Sequence, residues 1–424
     1  MKRILPIVLA LSAVFHSRAD IEIQKMFPLN AAWPVIFGGY IKHESFWDTR
    51  QVVGTSEDQV LLYPEPIDLD SNCEDINAQG QFTSVAIQTR MRFEINGPDI
   101  KNARSKGVIE YDFFGKSGIT NIIRMRHAHI ILNWEKAELL AGQAYHPLYV
   151  IGVDPRTISF NTGIPLDTFA RDPQVRVTYK PSEHLHLVFC ASTQLDSLSD
   201  GPIGRSSSYL RNAIIPMLDF RLDTYVGKHR IGAGAHYLRI QPRLKTNTDL
   251  KTRESLNSAI AIFYSKLTWD SVDTRTKFIF YQNATDQNII GGYAVSYVEP
   301  TTDTRKYTNL NGVAVWNDTD ITKSKSVIPG WFIGFAKNIG ANRPIIQSID
   351  TNGTTEKTVY GFGTDIDYIF RIAPRVQWKI NNLNFAVEIE YTRAAFGTID
   401  CDGNVINTNP VGNTRILASL FYYL

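Results

Sequence analysis

The sequence predicts an all-β fold, a single transmembrane antiparallel β-barrel of about sixteen strands with one long loop folded into the lumen. Three observations predict it. From Asp365 to Thr392 the chain alternates with a period of two. Ile366, Tyr368, Phe370, Ile372, Val376, Trp378 and Ile380 fall on one face, opposite Asp365, Asp367, Arg371, Arg375, Gln377 and Lys379; Phe385, Val387, Ile389 and Tyr391 then alternate with Asn384, Glu388, Glu390 and Thr392. The connections between such stretches alternate short and long, as in barrels with tight turns on one side of a membrane. The chain ends Ala418-Ser419-Leu420-Phe421-Tyr422-Tyr423-Leu424, an apolar, aromatic last strand.

A two-residue turn at Asn381-Asn382, where Asn tolerates positive φ, pairs Trp378 with Phe385, Val376 with Val387, Arg375 with Glu388 and Ile372 with Tyr391. A slip of one residue would mix the faces. The apolar face carries aromatics near both ends and the strands exceed ten residues, which suits a bilayer span. Pro374 lacks a ladder donor and calls for a bulge or a gap.

Residues 1–19 read as a secretory leader cleaved after Ala19: Lys2 and Arg3, an apolar run from Ile4 to Phe15, then Ser17-Arg18-Ala19. Its removal takes the formal charge from +2 to +2 − 3 = −1, so nothing in the balance suggests nucleic acid. No later run is long enough for a transmembrane helix. The rest, residues 20–424, reads as one barrel domain.

In chain order, strands are expected at Val35–Arg50, Phe82–Ile95, Val108–Phe114, Ile122–Trp134 and Glu138–Tyr145, with a polar loop from Val52 to Gln81. Arg124 and Arg126 share a face with Ile130 and Leu132, which implies a bulge near Ala128. His146 to Pro173 is a long loop too apolar to lie in solvent. Further strands are expected at Gln174–Tyr179, Leu185–Thr193, Arg211–Thr224, Ile231–Leu238, Ser255–Leu267, Asp273–Asn283, Tyr307–Trp316 and Pro329–Asn338, before the hairpin and Asn413–Leu424.

Several blocks carry a family resemblance in order along the chain: Gly39-Tyr40-Ile41-Lys42, Asp75-Ile76-Asn77-Ala78-Gln79-Gly80, Gly142-Gln143-Ala144-Tyr145-His146-Pro147, Ser159-Phe160-Asn161-Thr162-Gly163, Tyr368 to Arg375, and Glu388-Ile389-Glu390-Tyr391-Thr392. With them the chain resembles DcaP-like and Bacteroidetes-type outer-membrane porins. The resemblance implies a sixteen-stranded, homotrimeric passive channel, and no block secures a dicarboxylate preference.

Charged residues carry the functional reading. Arg90, Arg92, Arg176, Arg371 and Arg375 share strand faces with polar residues, as do Glu110, Asp112, Glu388 and Glu390. A dry core would not tolerate them, whereas a wet lumen would. Glu110 and Asp112 can face Arg90 and Arg92 across strands, where an exposed pair contributes only about 0–1 kcal/mol, and as a set the charges shape the field in the pore. The long loop adds Asp154, Arg156, Asp167 and Arg171 at a constriction. The reading is a porin of the Gram-negative-type outer membrane, in contact with lipid, passing small hydrophilic solutes and favouring anions such as carboxylates. The alternatives are a barrel enzyme acting on lipid and a secreted β-sandwich that binds a polymer. No catalytic residue or cofactor is assigned. His127-x-His129 lacks a nearby third ligand, so no metal centre is assigned either. Closure of the barrel would bring the first and last loops together, so a disulfide between Cys73 and Cys401 is an expectation.

Overall fold

The computed structural model describes residues 34–115, 121–346, 349–351 and 354–424; the leader and its cleavage site lie outside the described residues. Sixteen strands close one antiparallel barrel. They are β1 (Val35–Asp48), β2 in two pieces (Gln81–Val85 and Arg90–Asn96), β3 (Arg104–Asp112), β4 (Arg124–Asn133), β5 (Ala137–Tyr145), β6 (Arg171–Ser182), β7 (Leu185–Ser192) and β8 (Met217–Val226). The second half comprises β9 (His229–Ile240), β10 (Leu256–Thr268), β11 (Val272–Gln282), β12 (Arg305–Ile321), β13 (Val327–Ala341), β14 (Ile366–Ile380), β15 (Leu383–Ile399) and β16 (Val405–Tyr423). Each strand pairs with the next, and β16 pairs with β1 from Tyr40↔Tyr423 to Asp48↔Arg415, which closes the ring. A closed ring has no free edge, and this rules out the open sandwich.

The barrel is inside out relative to a soluble protein. Along β15 the exposed residues include Phe385, Ile389 and Tyr391, while Glu388 and Glu390 are buried. The same holds at Phe263, Phe278, Ile231 and Phe189, whose strand neighbours Tyr264, Lys277, Gly232 and Cys190 point inward. No helix among the described residues is long and apolar enough to cross a membrane. Phe263 sits in mid-strand opposite Ala233 and Phe278. Phe263→Arg is therefore expected to cost about 2–4 kcal/mol in a folding titration into lipid vesicles, as a charge at the bilayer midplane does. Unchanged stability would mean that this face is not in lipid.

The register of the β14–β15 hairpin is the expected one, with Trp378↔Phe385, Val376↔Val387, Arg375↔Glu388 and Ile372↔Tyr391. Asn381 takes φ 52° in the turn. Pro374 causes no bulge: the register is the same on either side, and the rungs at Ala373 and Pro374 are missing on the β15 side. The bulge expected near Ala128 sits at Arg126, where the pairing shifts from Glu110↔His127 to Tyr111↔Met125.

Three segments differ from expectation. The lumen loop ends at Ala170, because Arg171, Asp172 and Pro173 already pair with β5. Arg211 to Ala213 belongs to a short helix, α1 (Ser208–Ala213), which packs Tyr209 and Leu210 inward; β8 starts only at Met217. The first long loop is not simply polar. Val52–Thr55 and Val60–Pro64 form a hairpin whose Leu61 and Tyr63 are buried, the latter edge-on to Phe396.

Candidate functional site

The interior is built from charged side chains that project inward from the wall and tie down two inserted segments. Residues 146–170 cross the lumen, held at several points around its circumference. On β11 the Lys277 ammonium donates to Leu148 O (2.6 Å) and Thr168 Oγ1 (2.8 Å) and pairs with Asp167. On β15, Glu388 accepts Ile158 N–H (2.8 Å) and Ser159 N–H (3.0 Å), and Glu390 accepts the Asn161 amide. Lys42 on β1 donates to Ile158 O at 3.0 Å and pairs with Glu44. Arg230 on β9 donates to Ile151 O at 2.8 Å, and Arg221 on β8 to Pro147 O. The apolar side chains that made this loop unfit for solvent pack on each other and on the inserted hairpin, with Phe160 against Phe114 and Tyr149 against Tyr145 and Phe169.

Arg371 joins both segments to the wall. Its Nε meets Thr392 Oγ1 (2.8 Å) and Glu390 Oε1 (3.1 Å), Nη1 donates to Ile164 O (2.8 Å), and Nη2 donates to Leu61 O (3.1 Å) and Leu62 O (2.8 Å). It faces Thr392 in register and is fully partnered. Arg375 lies opposite Glu388 in register yet forks onto Asp318 (2.8 Å twice) and Asp320 (2.7 Å) of β12. The guanidinium crosses to the strand on its other side but one because Gly330, between them on β13, has no side chain: a Cβ there would lie 2.5 Å from Asp320 Oδ1 and 3.2 Å from Arg375 Nε.

Arg90 and Arg92 face Asp112 and Glu110 in register, as expected. Arg92 is shared between Glu94 (2.8 Å) and Glu110 (3.1 Å) and is 36% exposed, whereas Arg90 lies 3.5 Å from Glu110 and covers the Tyr40 ring. Glu110 and Asp112 also take Arg126, at 2.7 and 2.9 Å, and Asp112 takes Arg124 at 2.8 Å. Of the loop charges, Arg156 is exposed and reaches Asp320 (3.5 Å), while Asp154 accepts its own loop's Gly152 N–H. Asp167 is buried on Lys277 and does not face the path; burial raises its pKa above the ordinary carboxylate range, and the ammonium opposes this. Arg171 belongs to β6 and pairs with Asp196 at 2.7 Å.

Two polar spaces remain on either side of the crossing loop. Toward the long loops a cavity of about 320 Å³ is lined by Arg124, Arg171, Arg205, Phe160, Phe169 and Tyr63. Toward the short turns a second, of about 260 Å³, carries the cations Arg176, Lys180, Arg221 and Arg230 against the acids Glu138 and Asp223. Arg221 and Arg230 both pair with Asp223 (3.2 and 2.7 Å). Arg176 makes no ion pair or side-chain hydrogen bond among the described residues. Of the expected lumen arginines, Arg176 is therefore the one without an acidic partner. Lys180, Arg221, Arg230 and Lys277 were not singled out from sequence, although Arg221 alternates with Phe220 and Leu222 as a lumen residue should.

The expected Cys73–Cys401 bridge is not formed: both residues are exposed free thiols. The β15–β16 hairpin runs ten residues past the last β1 contact at Arg415, about 33 Å at ~3.3 Å per residue. Its tip then leans on the neighbouring loop, where Cys401 O accepts Ile345 N–H at 2.7 Å. Cys73 stays in a turn of its own on Asp70.

A closed sixteen-stranded barrel with an inserted loop is the fold of outer-membrane barrel proteins, and solved structures of that kind are similar to it. The chain superposes on OmpT, an outer membrane protein of Vibrio cholerae, with a TM-score of 0.53 at 10% identity over 93% of this chain and 99% of that one. An in-vitro folded trimer form of the same protein gives 0.54 at 9% identity, covering 93% and 100%. An anion-selective porin from Comamonas acidovorans gives 0.54 at 5% identity, covering 92% and 100%. No protein-family model matches the chain, and no curated protein matches it.

Proposed function

We propose that this chain is a passive outer-membrane porin for small hydrophilic solutes, that it favours anions, and that it belongs with the DcaP-like porins it resembles. The observation that carries the reading is the charged interior left partly open on both sides of a crossing loop, with four cations against two acids in the space toward the short turns. Guanidinium groups stay charged at any working pH and match carboxylates in a bidentate way. A narrow space with low-dielectric walls strengthens their field. The likeness in fold to an anion-selective porin and to a protein solved in a trimer form supports the reading and its homotrimeric form. A lipid-acting enzyme is less well supported, because the His–Asp pairs His146–Asp219 and His236–Asp219 are buried inward, away from the lipid face.

The test is the reversal potential under a potassium chloride gradient. The wild type should prefer chloride, and Arg176→Gln with Arg221→Gln should shift the preference towards potassium. The effect should shrink with salt, as the screening length falls from about 10 Å at 0.1 M to about 3 Å at 1 M. Cation preference in the wild type, or no shift in the double variant, would remove anion selectivity from the account.

A further inference from the structure

Beneath the start of the lumen loop, the wall formed by β6, β8 and β9 buries a cluster that the permeation path does not use. His146, Asp219 and His236 bring their ligand atoms within 4.8 Å of one another, all three buried. Asp219 Oδ1 lies 2.9 Å from His236 Nδ1 and 3.2 Å from His146 Nε2. Leu148 N–H points to His146 Nδ1 at 3.3 Å, which leaves the proton on Nε2, close to Asp219 but outside hydrogen-bond geometry. With His236 donating from Nδ1, its Nε2 keeps a lone pair. That nitrogen is buried, has no hydrogen-bond partner, and lies 3.7 Å from Asp286 Oδ2.

Asp286 Oδ1 and Asp172 Oδ2 are likewise buried without a partner among the described residues. Their other oxygens are satisfied, Asp286 Oδ2 by the Gln287 amide (2.9 Å) and Asp172 Oδ1 by Leu195 N–H (3.0 Å). Asp172 is close enough to act electrostatically on both His236 and Asp286. Three buried carboxylates thus lie in the same region as two imidazoles, and His236 Nε2, Asp286 Oδ1 and Asp172 Oδ2 are each left without a partner. Burial of such groups unpaired is costly.

A separation of 3.7 Å is too long for a hydrogen bond. An ion about 2.1 Å from each atom would subtend roughly 120°, within the range of tetrahedral and trigonal sites. The Asp219–His236 pair reproduces the carboxylate–histidine arrangement that orients metal-bound imidazoles. We propose that this cluster binds one divalent transition-metal ion of the zinc type, through His236 Nε2 and the Asp286 carboxylate, with Asp219 and His146 positioning His236. An imidazole among carboxylates selects this class over calcium or magnesium, which take oxygen alone. The ion would fasten the return of the lumen loop, because Gln287 O accepts Phe169 N–H (3.0 Å) and the Asn288 amide donates to Phe169 O (2.7 Å).

The test uses the full-length protein in detergent, stripped with a chelator and dialysed against zinc alone, with metal per chain measured by mass spectrometry. One zinc per chain is expected. His236→Gln and Asp286→Asn should each lower zinc affinity at least about tenfold, while exposed His184→Gln leaves it unchanged. Equal retention by both folded variants, or none by the wild type, would overturn the site. Should the variants fail to fold, cobalt(II) titration of the wild type decides. A visible absorption band saturating at one equivalent and displaced by zinc supports the site, and no such band refutes it. Neither readout depends on conductance.

Discussion

Deleting Ile158 to Leu166 is expected to raise single-channel conductance several-fold while leaving barrel assembly intact. This stretch lies across the lumen, with Ile158 and Ser159 on Glu388, Asn161 on Glu390 and Ile164 on Arg371. Its removal joins the two polar spaces now separated by the loop. The groups it uncovers, Lys42, Glu388, Glu390 and Arg371, would be hydrated by the water that enters, so none is left buried and unpaired. The barrel itself rests on strand pairing from β1 round to β16, to which the deleted residues contribute nothing. A correctly inserted deletion variant with unchanged conductance would place the loop outside the ion path.

The second large effect is expected at Arg371. Arg371→Ala removes the group that satisfies three backbone carbonyls and the Glu390 carboxylate, all inside an intact plug where water does not readily follow. Removing one partner of such a buried pair typically costs about 3–5 kcal/mol. The gel-shift temperature of the folded band should fall clearly, and the open channel should become noisy as the Val52–Pro64 hairpin and the lumen loop loosen. Arg371→Lys should recover part of this, since it restores charge but not the fork. Ion preference should hardly move, because the native guanidinium is already neutralised and fully buried. A normal transition temperature in Arg371→Ala would show this arginine to be hydrated, and a large shift in selectivity would restore it as a solute-facing group.

The wall was legible in the sequence, and the contents of the lumen were only partly so. Strand alternation depends on local sequence alone, so the faces, the β14–β15 register and the strand count could be read directly. The long loop could be placed inside because Tyr149, Phe160 and Phe169 needed cover. Beyond Arg92 and Glu110, which cation meets which anion could not be read. In a barrel a side chain chooses among partners on two neighbouring strands and on whatever fills the lumen, and that choice depends on curvature and on distant segments. Arg375 and Glu388 face each other in register, yet one turns to Asp318 and Asp320 and the other to the loop backbone. The inserted hairpin Val52–Pro64 is short, and its two strands are broken by Ser56, Glu57 and Asp58, all at positive φ, so its alternation is too brief to stand out. The His236–Asp286 cluster draws on β6, β8, β9 and two loops, and no local spacing signals it.

The central claim is that a charged lumen spans the membrane and conducts. Single-channel recording of the wild-type protein in planar bilayers tests it most directly. Discrete, voltage-independent steps are predicted at moderate salt, with a conductance below that of the Ile158–Leu166 deletion and a reversal potential on the chloride side. Full insertion, seen as the heat-modifiable band, with no conductance steps from either the wild type or the deletion would contradict it.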